Sequence, residues 1–107
     1  MGTISSILSR YDFKQFRLGG AHESLQIPGP GIAIVACERE PDNRGHIAYE
    51  LLDAAEVMNA VGVTRLLTQN WVCDGHIVAW VAHVPDEAQR KSDVLDLRKL
   101  LANRIKA

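Results

Sequence analysis

Aromatic side chains are scarce in this sequence, cysteine is scarcer, and a surplus of either charge is missing. Six residues are Phe, Tyr or Trp and two are Cys, while twelve Lys and Arg stand against thirteen Asp and Glu. So even a balance excludes a field that would steer nucleic acid, anionic lipid or an acidic partner. The basic residues that do gather, Arg98, Lys99, Arg104 and Lys106, suit the last turns of a helix, where they oppose its dipole. No apolar run is long enough to cross a bilayer, and no signal peptide, repeat or linker interrupts the chain. Residues 1–107 therefore read as one domain in the cytoplasm, with no nucleic-acid or membrane partner. Cys37 and Cys73 carry no sign of an oxidising compartment and are expected to be unpaired thiols. The opening Met1-Gly2-Thr3-Ile4-Ser5-Ser6 fits a loose lipidation pattern, one too short to build on.

What is present is a regular succession of periodic segments. Ile4, Ile7, Leu8 and Tyr11 predict a helix over 3–12, capped by Thr3. Phe13–Leu18 and His22–Ile27 read as strands joined at Gly19-Gly20, and Pro28-Gly29 suits a type II turn. Gly31–Arg39 is apolar without a break from Ile32 to Cys37, the mark of a central strand covered on both faces. Ile47, Leu51, Ala54, Ala55, Met58 and Val61 then form a stripe at helical spacing, capped by Asp42 or Asn43 and ended by Gly62. Leu51, Ala54 and Met58 should pack that helix on the sheet, leaving Glu50, Asp53 and Glu56 in solvent. Thr64–Cys73 and His76–Val84 read as two strands around Asp74-Gly75, a strong hairpin signal. Asp86 followed by Gln89 opens a last helix with Val94, Leu95, Leu101, Ala102 and Ile105 on its apolar side. The fold class is α+β, in the order α-β-β-β-α-β-β-α, with a mostly antiparallel five-stranded sheet.

Counting outward from a two-residue Asp74-Gly75 loop pairs Cys73 with His76, Trp71 with Val78, Gln69 with Trp80 and Arg65 with Val84. Trp71, Trp80, Gln69, Arg65, Cys73 and His76 would then share one face. Two tryptophans beside polar groups suit a contact surface, since aromatic residues and Arg dominate binding energy. The expected occupant is a second copy of the chain, in a homodimer, or a small apolar or mixed-polarity ligand. No cofactor is implied.

An enzyme is the alternative. Cys73 and His76 could supply a thiolate and its base, or two metal ligands, although a zinc site would need two more. A second alternative starts from Gly31–Arg39, Arg44-Gly45, the segment with Leu51-Leu52, and Gly62-Val63-Thr64-Arg65-Leu66-Leu67. Over about a third of the chain these resemble the central part of the acetyl-CoA-binding acetyltransferase superfamily, which implies an acyl-CoA site at a helix start near Arg44–His46. Arg44-Gly45-His46-Ile47-Ala48 lacks that family's second and third small positions.

Overall fold

The apolar run that begins at Gly31 is the centre of the protein. In the computed structural model, which describes residues 4–17 and 29–106, every residue of Gly31–Glu38 is buried. In chain order the elements are helix α1 (Ile4–Leu8), strands β1 (Lys14–Arg17), β2 (Gly31–Glu38) and β3 (Tyr49–Val57), helix α2 (Ala60–Leu67), strand β4 (His76–His83) and helix α3 (Glu87–Lys106). The strands form one antiparallel sheet in the order β1-β4-β2-β3. β3 and β4 flank β2, both antiparallel to it, so they are parallel to each other and α2 crosses between them. One face of the sheet packs Phe16, Ala33, Val35, Val57, Ala79 and Val81 against Val63, Leu66 and Leu67 of α2. The other packs Ile32, Ile34, Ala54 and Ala82 against Ile7 of α1 and Val94 and Leu97 of α3. No helix among the described residues is long and apolar enough to cross a membrane.

The class is α+β as expected, but among the described residues the sheet has four strands, and two central elements exchange type. The expected helix from Ile47 to Val61 is β3, and the expected strand over Thr64–Cys73 is α2 followed by irregular chain. The first error has a specific cause. The register between β2 and β3 slips between Val35, opposite Asp53, and Ala36, opposite Leu51. Leu52 is the extra residue of a β-bulge, which breaks the alternation of faces. Leu51 and Ala54 consequently share the α3 face, and Leu52 and Ala55 share the α2 face. Residues three apart on one face are what a helix would show. The second error overlooked Val63, Leu66 and Leu67, which are buried at helical spacing behind Asn59, whose side chain accepts from the Gly62 N–H.

At the first helix, Ile4–Leu8 is shorter than the expected 3–12. The last helix opens as expected, with Asp86 Oδ1 accepting from the Gln89 N–H at 3.0 Å. The expected strand His22–Ile27 and its Gly19-Gly20 turn lie outside the described residues.

Asp74-Gly75 does not join a hairpin. It leads from the chain after α2 into β4, against the far end of β2. A Cβ on Gly75 would lie 2.0 Å from the Glu38 carbonyl oxygen, inside the strand pairing itself. Gly75→Ala should therefore force β2 and β4 apart at that end and cost about 2 kcal/mol, within the range for overpacking. A denaturation midpoint equal to wild type would show that the strand ends yield freely.

Among the described residues β3 is an edge strand, and its middle is closed to further pairing. The Ala54 N–H donates to the side chain of Asp53 at 2.8 Å, and Arg98 Nε donates to the Ala54 carbonyl at 2.8 Å. The N–H and C=O of one residue point to the same side of an antiparallel strand, so both outward groups of Ala54 are satisfied without a neighbouring strand.

Candidate functional site

The six residues expected on one face are dispersed. Trp71 follows α2 and packs on the α2 face of the sheet, where its indole N–H donates to the Leu66 carbonyl at 2.8 Å. Trp80 is in β4, directly opposite Ile34, and so lies on the other face with α1 and α3. A shared Trp71/Trp80 face therefore does not exist, because residues 64–67 are helical and never pair with β4. Arg65 and Gln69 are exposed on and just after α2. Cys73 is bonded to Cys37 in a disulfide, which corrects the expectation of two free thiols. It also withdraws the support that free thiols gave to a reducing compartment. A disulfide sulfur has no thiolate, so Cys73 and His76 form neither a nucleophile pair nor a metal-binding pair.

His76 is exposed and lines a hollow of about 290 Å³ with Arg17, Glu38, Arg39, Glu40, Pro41, Ile47 and Gly75. Its two arginines are already matched. Arg17 pairs with Glu38, and Arg39 pairs with both Glu50 and Asp74. The three carboxylates expected on one solvated helical face each meet a different arginine: Glu50 meets Arg39, Asp53 meets Arg98 and Glu56 meets Arg90. Among the described residues, no group of three His, Cys, Asp or Glu side chains is placed to hold a metal ion.

Arg44-Gly45 turns a hairpin instead of starting a helix. Asp42 Oδ1 accepts from the N–H groups of Arg44 at 2.8 Å and His46 at 2.9 Å, and Gly45 takes a positive φ of 78°. The chain then returns as β3, so Asp42 and Asn43 cap no helix. An acyl-CoA site near Arg44–His46 has no helix N-terminus to hold a pyrophosphate.

Chemistry gathers elsewhere, around Trp80. Leu8 of α1, Phe13 ahead of β1, Ile34 of β2, Tyr49 and Leu51 of β3, and Trp80 line a cleft of about 450 Å³. Four of the six aromatic side chains, Tyr11, Phe13, Tyr49 and Trp80, lie on this face of the sheet. The rings of Tyr49 and Trp80 meet edge to face with centroids 4.6 Å apart. Gln15, opposite Trp80 in the register of β1 and β4, donates from Nε2 to the Tyr49 hydroxyl at 3.4 Å.

The wall made by Leu8 and Phe13 is fastened to α3. Asp93 is 1% exposed and accepts from Arg10 at 2.9 Å, from Gln89 at 3.1 Å and from the Tyr11 hydroxyl. Burial first, and then the bond to the Asp93 carboxylate, pushes the Tyr11 phenol up to about 12. Tyr11 thus stays protonated and holds the segment before β1 against α3.

Of the expected site residues only Trp80 lines this cleft. Leu8, Phe13, Ile34, Tyr49 and Leu51 were missed because they reach it from α1, β2, β3 and the segment ahead of β1. The available signal was the scarcity of aromatics, which makes Phe13, Tyr49 and Trp80 on one sheet face informative. Compared with known protein families, curated proteins and solved structures, the chain matches none.

Proposed function

We propose that this protein is a binding module, not an enzyme, that takes a small and largely apolar ligand into the cleft at Trp80. The lining of that cleft carries the reading. Its volume of about 450 Å³ falls among small-molecule sites, which run from roughly 300 to 1,000 Å³ and are mostly apolar with few polar groups. None of the six described lining residues is Asp, Glu, Lys, Arg or His, so among them the cleft holds no acid, base or nucleophile stronger than a phenol. What it offers is apolar area and aromatic edges.

Nile red, a neutral dye whose emission rises in apolar surroundings, tests this. Emission should rise and shift to the blue with the wild-type protein. A folded Leu51→Trp variant, with the cleft filled, should bind the dye about tenfold more weakly, equivalent to about 1.4 kcal/mol. A folded variant that binds as well as wild type, or a wild-type protein that leaves the dye unchanged, would overturn the reading. Light scattering covers the other occupant the sequence suggested. A mass of 11.8 kDa leaves the cleft to a ligand. A dimer that Trp80→Glu converts to folded monomers assigns it to a second copy.

A further inference from the structure

The polar groups of the cleft narrow the chemistry of its ligand, on the reading that the cleft is the binding site. Trp80 has one hydrogen-bond donor, its indole N–H, and no acceptor. Among the described residues nothing accepts from that N–H, whereas the Trp71 indole is bonded to Leu66. No fully buried side-chain nitrogen or oxygen of the described residues lacks a partner, so the Trp80 N–H keeps some access to solvent. The Tyr49 hydroxyl, which accepts from Gln15, still has its own proton to give. Among the described residues the lining of the cleft therefore offers donors and no charged side chain. An ionised ligand group entering it would lose water and gain no counter-charge from the lining, a costly exchange.

The aromatic geometry selects shape. Tyr49 and Trp80 stand at 75° to each other, so a flat ring lying against either one presents its edge or face to the other. Aromatic pairs favour such edge-to-face and offset contacts beyond the area they bury. We infer that the ligand is an uncharged, flat aromatic compound carrying a hydrogen-bond acceptor, such as a carbonyl oxygen, that takes the Trp80 N–H.

Four probes of similar size separate the elements of this inference: acetophenone, ethylbenzene without the acceptor, cyclohexyl methyl ketone without the flat ring, and the anion benzoate. Each is titrated into ¹⁵N-labelled protein while the two indole N–H signals are followed. Acetophenone should shift the Trp80 signal and leave the Trp71 signal in place. Each of the other three should bind at least about fivefold more weakly, about 1 kcal/mol at RT ln 5. Trp80→Phe, which keeps a ring and loses the N–H, should bring acetophenone down to the affinity of ethylbenzene. Benzoate or the cyclohexyl ketone binding as tightly as acetophenone, with Nile red still held in the cleft, would overturn the ligand class and leave the binding site standing. Failure of all four probes together with Nile red would overturn both.

Discussion

Replacing Glu56 with alanine is expected to destabilise the protein by about 3 kcal/mol, more than emptying the Leu51 site does. Read as a helix, the segment gives the opposite order, with Glu56 a free surface residue and Leu51 a core anchor costing about 2–5 kcal/mol. In the sheet, Glu56 faces α3 and accepts from Arg90 Nε at 2.9 Å. Arg90 is 4% exposed, and its Nη1 donates to the carbonyls of Val84 and Pro85. Removing the carboxylate leaves a guanidinium charge in the interior, a change that costs about 3–5 kcal/mol when one partner of a buried pair is lost. Glu56 keeps part of its surface in solvent, which places the loss at the lower end. Glu56→Gln should cost less, since it retains an acceptor. Leu51 is only half-buried at the cleft, so truncating it should cost below the core range. Urea denaturation of the three variants measures this, and Leu51→Ala proving costlier than Glu56→Ala would refute the assignment of β3.

Opening the disulfide should cost about as much. Cys37 and Cys73 are 36 residues apart, and the chain between them includes β3 and α2. Closing a loop of that length in the unfolded chain removes entropy equivalent to about 4 kcal/mol at 25 °C. The denaturation midpoint should therefore fall sharply in reductant, and the Cys37→Ala/Cys73→Ala double variant should reproduce the fall without it. Thiol labelling of the denatured, unreduced protein should find no free thiol. Two labelled thiols, or a midpoint indifferent to reductant, would mean that the bridge does not form.

How much of this was legible in the sequence depended on whether a segment's pattern came from its own backbone or from its neighbours. Gly31–Glu38 was legible because burial on both faces writes an unbroken apolar run. The start of α3 was legible because Asp86 caps it through a local bond. His76–His83 was found, but its partners were not. Asp74-Gly75 resembles a hairpin turn, yet Gly75 is needed for its close approach to Glu38 of β2. β3 was misread because Leu, Ala and Glu favour helices and the bulge at Leu52 imitates a helical stripe. The strand forms because β2 needs a partner on its open side, which is information held in β2 and not in Tyr49–Val57. The cleft was illegible for the same reason. Its lining residues are joined only through a register that no local spacing reveals.

The closure of β3 at Ala54 also imposes an order on the making of the protein. The strand's guard, Arg98, is 44 residues further along the chain. As synthesis proceeds from the N-terminus, β2 and β3 leave the ribosome complete while α3 is still to come. During that interval Asp53 can bond the Ala54 N–H, but nothing yet occupies the carbonyl, and the middle of the strand is open to a neighbouring nascent chain. β3 is therefore least protected in the interval before α3 follows it out, and α3 is the element that closes it.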